Sequence, residues 1–249
     1  MDVESRRSMV MLPKGILFDL DDTIIAYTPV VEPTWRRICQ EYARKSGFLD
    51  ADILYRSIKE ASDWFWSDKE RHRIGRNNLH AARRDILEIA FHKMDIPHRR
   101  LAREIADTFS EEREEAVFLF EGAKETLEYF HSRNVSLTLI TNGEADKQRN
   151  KIKRFRLEKY FMTILIEGEI GFGKPEEAVY QRALNGLGLR PEEVWSVGDN
   201  LEWDILGPQK VGVFGIWNDF SGKGLPDNSK IVPDRIVHRI SELIPISDS

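Results

Sequence analysis

The stretch Gly15-Ile16-Leu17-Phe18-Asp19-Leu20-Asp21-Asp22-Thr23 runs from apolar residues straight into a group of carboxylates. A short apolar run that stops at a polar turn reads as a central strand buried on both faces. Runs of the same kind recur at Val135 to Ile140, Met162 to Ile166, Val194 to Val197 and Val211 to Trp217, each separated from the next by a helical pattern. One such pattern opens at Pro175, continues through Ala178, Val179, Ala183, Leu184 and Leu187, and meets Gly186 and Gly188 near its end. Strands alternating with helices predict an α/β fold built on a doubly wound parallel sheet.

Between the first strand and the rest of this alternation lies a stretch of different character. From about Tyr27 the apolar residues fall at helical spacing with no period-two run. Pro33 opens one expected helix; Ala51 to Trp66, Asn77 to Met94 and Pro97 to Val117 are three more. The chain therefore divides into an α/β core of residues 1–26 and 118–249 and an inserted helical domain of residues 27–117. The charges of the insert balance, which places the acidic excess in the α/β part.

At 249 residues, with 41% hydrophobic, 10% aromatic and 32% charged residues, the chain can fill two cores and cover them with a solvated surface. A net charge of -5 argues against nucleic acid or an anionic membrane as partner, because both need a basic face. No segment carries the roughly 18 uninterrupted apolar residues of a membrane span, and the apolar run near the N-terminus is too short for a signal peptide. Met9 and Met11 offer alternative starts. The single cysteine, Cys39, has no internal disulfide partner and reads as a buried structural thiol, in keeping with a reducing, cytoplasmic location. His72, His80, His92 and His98 lack metal-ligand spacing near a cysteine, so zinc is not expected.

In an open α/β sheet, ligands bind beyond the carboxyl ends of the strands, so the polar residues at those ends are the candidates for chemistry. The first strand ends in Asp19, Asp21, Asp22 and Thr23; the second in Thr141, Asn142 and Gly143; a later one in Gly198, Asp199 and Asn200, with Asp204 close behind. Lys174 stands at the start of a helix. Residues i and i+2 of an extended chain share a side, so Asp19 and Asp21 are expected to face one site, with Asp199 joining from a neighbouring strand. Carboxylates gathered this closely repel unless a hard cation sits among them, and oxygen-only donors favour Mg²⁺. The cation, Lys174, Thr141 and the backbone N–H groups of Asn142 and Gly143 would together balance a phosphate monoester. With its charge offset, a carboxylate can act as a nucleophile and form an aspartyl phosphate. Asp22 is expected to turn away as a turn or capping residue.

These motifs, DLDDT at Asp19 to Thr23, ITNG at Ile140 to Gly143, GKP at Gly173 to Pro175 and GDNLEWD at Gly198 to Asp204, resemble in order the four motifs of the haloacid dehalogenase superfamily. The likeness covers the whole α/β part and implies a Rossmann-like core, with the helical insert in the place of that family's C1 cap. It implies that Asp19 is the nucleophile, Asp21 the general acid and base, and Thr141 and Lys174 the phosphate holders. It further implies that Mg²⁺ is held by Asp19, Asp199 and the backbone carbonyl of Asp21, and that Asp204 supports the site through Lys174 or a metal-bound water. Cap length and motifs are most similar to the N-acylneuraminate-9-phosphatase and pyrimidine 5′-nucleotidase branch, with phosphoglycolate phosphatases next.

The resemblance implies a Mg²⁺-dependent phosphatase acting on a small phosphorylated metabolite, a sugar, nucleotide or small-acid phosphate, as a monomer or homodimer, with its cap closing to exclude water. A metal-independent haloacid dehalogenase is the nearest alternative. Asp21 speaks against it, since a leaving halide needs no proton. A phosphotransferase or mutase and a non-catalytic phosphometabolite-binding protein complete the alternatives, together with a signalling receiver, which would need no insert. Within the insert, Trp64, Phe65 and Trp66 followed by Arg71, His72, Arg73 and Arg76 suggest a substrate-facing wall, but aromatic core and solvated arginines are the favoured reading.

Overall fold

The computed structural model describes residues 12–76 and 78–245; Met9, Met11 and Asn77 lie outside them. In chain order the elements are strands β1 (Gly15–Phe18) and β2 (Ile25–Ala26), then helices α1 (Val31–Ser46), α2 (Ala51–Ser67), α3 (Lys69–Gly75), α4 (Leu79–Lys93) and α5 (Arg99–Ala116). There follow β3 (Phe118–Leu119), α6 (Ala123–Ser132), β4 (Ser136–Thr141), α7 (Ala145–Arg154), β5 (Thr163–Ile166), α8 (Glu167–Ile170) and α9 (Glu177–Leu187). The chain continues through β6 (Val194–Gly198), a π-helical turn at Leu201–Leu206, α10 (Gly207–Lys210), β7 (Phe214–Asn218) and β8 (Arg235–Val237). Compact packing divides it into two units: residues 12–24, 119–141 and 148–245, and residues 25–118 with 142–147.

The first unit is an α/β layer structure around a parallel six-stranded sheet in the order β5-β4-β1-β6-β7-β8. Its central strand β1 is buried along its whole length and pairs with β4 on one side and β6 on the other, Phe18 matching Leu139 and Val197. The register places Asp19, just past β1, beside the carboxyl ends of β4 and β6, so Asp19, Thr141 and Asp199 lie along the same edge of the sheet. Beneath them Leu17, Ile140, Leu165, Val179, Tyr180 and Leu184 form one apolar cluster. Ile25–Ala26 and Phe118–Leu119 pair as a separate two-stranded sheet.

Several boundaries differ from expectation for local reasons. The last predicted strand starts at Phe214 instead of Val211, because the N–H groups of Val211, Gly212 and Val213 bond back to Pro208 and Gln209 in a turn that holds Gly212 at φ 86°. Helix α9 starts at Glu177, since Pro175 lies in a turn closed by the Glu176 N–H on the Gly173 carbonyl. β8 was not expected; it is only three residues long and its pattern is too short to read alone.

The second unit is a helical bundle of five described helices where four were expected. The extra one, α3, starts where Asp68 turns its carboxylate back onto the Arg71 N–H and caps the new helix. Asp50 and Asn78 cap α2 and α4 in the same way. The core gathers Trp35, Ile38, Leu54, Ile58, Leu87, Phe91, Ile105 and Phe109, with Trp35 stacked on Phe109 at 3.6 Å. Cys39 belongs to this core, and burial pushes its thiol up to about 12, which excludes it as a nucleophile at neutral pH. Phe65 also belongs to the core, whereas Trp64 is exposed under the Arg71 guanidinium and Arg73 pairs with Glu70. Arg71 and Arg73, two of the three arginines of that stretch, are therefore engaged by local partners.

Candidate active site

Asp19 directly follows β1, and its N–H donates to the Val197 carbonyl at 2.9 Å, so the strand pairing itself fixes the start of the acidic loop. Its carboxylate is buried, and Oδ1 accepts from Lys174 Nζ at 2.6 Å. The same ammonium donates to Asp204 Oδ1 at 2.7 Å. Asp204 in turn accepts the Asn200 N–H on Oδ2 at 3.0 Å, and its carbonyl accepts from Ser196 Oγ. Asn200 caps the following π-helical turn by accepting from the N–H groups of Glu202 and Trp203. Gly198 permits this packing: a Cβ there would stand 2.2 Å from Asp204 Cγ. Asp199 is positioned by Trp217, whose indole N–H donates to the Asp199 carbonyl at 2.6 Å.

Asp19, Asp199 and Asp204 each offer a carboxylate oxygen within 4.8 Å of the others. Burial, followed by the neighbouring carboxylates Asp204 and Asp21, pushes Asp19 up to about 7 against the pull of Lys174. Burial and then Asp19, Asp204 and Asp22 push Asp199 well above the ordinary carboxylate range. Burial alone would weaken the Lys174 ammonium, but Asp19 and Asp204 more than reverse it and hold the lysine charged. Three carboxylates against one ammonium leave two negative charges uncompensated in a buried site. Asp19 Oδ2 is moreover buried without a hydrogen-bond partner. An oxygen-only donor set that is two charges short fits a hard divalent cation such as Mg²⁺. Both oxygens of Asp204 are already engaged, Oδ1 by Lys174 and Oδ2 by the Asn200 N–H.

The carboxylate of Asp21 does not join this group, contrary to the simple i, i+2 argument. Both its oxygens lie 2.8 Å from Lys151 Nζ, and Oδ2 also accepts from Gln148 Nε2 at 3.0 Å. The same Gln148 nitrogen donates to Thr141 Oγ1. Lys151 and Gln148 are both buried and lie three residues apart on α7, hence on one helix face. Neither was singled out from the sequence, although the i, i+3 spacing just after the Thr141 motif was a usable signal. Asp22 sits in the left-handed region at φ 64°, accepts from Asn218 Nδ2 through its carbonyl, and is not turned away from the site entirely, since its charge reaches Asp199. Asn142 and Gly143, at φ 119° in the latter, follow β4 directly and group with the helical unit.

The chain is similar to several known proteins. A family model described as haloacid dehalogenase-like hydrolase matches residues 13–212. A phosphoserine phosphatase of Thermus thermophilus is 31% identical, over 92% of this chain and 97% of that protein. An N-acylneuraminate-9-phosphatase of Rattus norvegicus is 33% identical over 59% of this chain and 58% of its own. Among solved structures, a 2-haloacid dehalogenase from Pseudomonas syringae pv. tomato superposes with a TM-score of 0.58 at 28% identity, over 94% of this chain and 96% of that one. No described helix is long and apolar enough to cross a membrane. With the family model spanning most of the chain and both of its units represented in a full-length relative, this chain belongs to the haloacid dehalogenase-like hydrolase family.

Proposed function

We propose that this chain is a cytoplasmic, Mg²⁺-dependent phosphatase that hydrolyses a small phosphorylated metabolite through a phosphorylated Asp19. The observation that carries the reading is the unpartnered, buried Asp19 Oδ2 beside Lys174, in a site with two uncompensated negative charges. Relatives acting as phosphatases support it.

In this reading Asp19 and Asp199, with the Asp21 backbone carbonyl, would hold Mg²⁺, which when bound supplies charge neutralisation for the transferring phosphoryl group. Thr141 and Lys174 bind phosphoryl oxygens, with the N–H groups of Asn142 and Gly143 completing the set. Asp19 attacks phosphorus as the bond to the leaving oxygen breaks, and Asp21 gives that oxygen its proton. Asp21 then takes a proton from the water that attacks the aspartyl phosphate, releasing inorganic phosphate and the Asp19 carboxylate. The helical unit, residues 27–117, acts as the cap that selects the leaving group.

Asp21 must leave Lys151 to reach a substrate, so Lys151 and Gln148 act as positioning residues. Lys151→Met is expected to lower kcat by about 10- to 100-fold, part of the 10²–10⁴ that general acid and base catalysis contributes, with KM changed by less than about twofold. Steady-state kinetics separate this from a purely structural lysine, whose loss would lower thermal stability and leave kcat per folded molecule unchanged.

The reading is tested by phosphate release from p-nitrophenyl phosphate and a panel of sugar, nucleotide and small-acid phosphates, each with Mg²⁺ or with EDTA. Release with Mg²⁺ and none with EDTA is the expected result. The likeness to a 2-haloacid dehalogenase makes that activity the second reading. Halide release from 2-haloacids in EDTA, with no phosphate released from any ester, would establish it in place of the first.

A further inference from the structure

The helical unit buries two arginines that no carboxylate among the described residues pairs with. Arg83 on α4 and Arg113 on α5 are 6% and 5% exposed. Both turn to Tyr27. Arg113 Nη1 donates to the phenol oxygen while its guanidinium lies 3.2 Å from the ring centre, and Arg83 Nη2 donates to the same oxygen at 3.4 Å. The other face of Arg83 lies over the Phe109 ring at 5.4 Å. Among the described residues no carboxylate oxygen comes within ion-pair distance of either guanidinium. Arg113 Nε is buried and has no hydrogen-bond partner. Burial draws the Arg83 guanidinium below its ordinary value; Tyr27 opposes this, Arg113 adds to it, and Glu114 and Glu144 oppose it only at longer range.

A guanidinium removed from water is normally compensated by a carboxylate or another anion, since desolvating an unpaired charge is costly. Here two guanidinium groups share one phenol oxygen and two aromatic rings. Aromatic rings compensate part of a buried cation's charge, but they offer no acceptor for the remaining N–H groups. Each arginine uses one of its five donors on Tyr27, and the forked geometry of those left over suits the paired oxygens of a carboxylate or phosphate. Of the arginines that the sequence suggested for such a role, Arg71 and Arg73 are exposed or half-buried and engaged locally, unlike Arg83 and Arg113.

We infer that Arg83 and Arg113, arranged around Tyr27, form a binding site in the helical unit for a small oxyanion, a carboxylate or phosphate group. That anion is either a free solute or a second anionic group of a phosphorylated substrate.

The test is isothermal titration of the full chain with malonate and with sulfate, in EDTA, with the arginine variants separating this site from any anion held elsewhere. Wild type is expected to bind one anion per chain, with affinity falling at least tenfold in Arg113→Gln and in Arg83→Gln. Should either variant fail to fold, Arg113→Lys and Arg83→Lys keep the charge but lose the fork, and the same tenfold weakening is expected. Absence of saturable binding in wild type, or equal affinity in wild type and variants, overturns the inference. The source of the anion is read from kinetics, an arm that rests on the proposed phosphatase activity. With the site in place, a KM raised in Arg113→Gln for O-phosphoserine but not for p-nitrophenyl phosphate assigns the anion to the substrate. A KM unchanged for both, with malonate binding lost, assigns it to a free solute. Because the titration needs no turnover, failure of the phosphatase reading would leave its result intact.

Discussion

Asp19→Asn is expected to reduce phosphate release by about 10⁴-fold or more, the scale on which an enzyme loses rate when its nucleophile is removed. Asparagine keeps the shape of the side chain but has no anionic oxygen to attack phosphorus. Burst kinetics would show the loss at the first turnover, since no phosphorylated enzyme can form. The same variant should fold at least as well as wild type in EDTA. Asp19 is held up to about 7 chiefly by burial, so the folded chain binds this proton more tightly than the unfolded chain, where the ordinary value is 3.8. For such a raised carboxyl, its contribution to stability is largest at low pH and falls as pH rises through that window. The difference in Tm between Asp19→Asn and wild type in EDTA is therefore expected to grow from about pH 4 to about pH 7, and a difference that is flat across this range would contradict the electrostatic account of the site.

Lys174→Met is expected to cost both activity and stability. The ammonium is 3% exposed and bridges Asp19 to Asp204 at 2.6 and 2.7 Å. Methionine of similar length fills its space but leaves the carboxylates facing one another with no counter-charge. Removing one partner of a buried ion pair typically destabilises by about 3–5 kcal/mol, because the other charge stays buried. Urea unfolding in EDTA should show a loss of that order, with turnover reduced by about 10³-fold or more. Addition of Mg²⁺ should recover part of the stability without recovering the activity, since a divalent cation offsets charge but cannot take the place on the phosphoryl oxygens that the proposed mechanism gives to Lys174. A variant as stable as wild type in EDTA would show that the lysine and its carboxylates are not charged together.

How far the sequence could be read varied with the range of the interaction involved. The apolar run ending at Asp19 was legible because a strand buried on both faces has a one-dimensional signature, and the polar residues after each strand could be gathered by topology alone. The helices of the insert were legible for the same reason, to within a residue or two at Ala51–Ser67 and Arg99–Ala116. Local competition shifted other boundaries: a turn onto Pro208 delayed β7, and a capping aspartate, Asp68, made a separate α3. What the sequence could not disclose were pairings across long separations. Lys151 takes Asp21 from 130 positions away, and Arg113 meets Tyr27 from 86.

The amino-acid sequence by itself therefore determined the α/β class, the helical insert, the family and the residues that end each central strand, because those follow from patterns of hydrophobicity and from motifs a few residues long. Only the tertiary structure decided that Asp21 rests on Lys151 and Gln148 instead of among the other carboxylates, and that Arg83 and Arg113 are buried together with no ion-pair partner among the described residues. The reason is physical: a side chain's partner is set by which groups of opposite charge the packed helices and strands bring within about 3 Å, and that distance does not exist until the chain has folded.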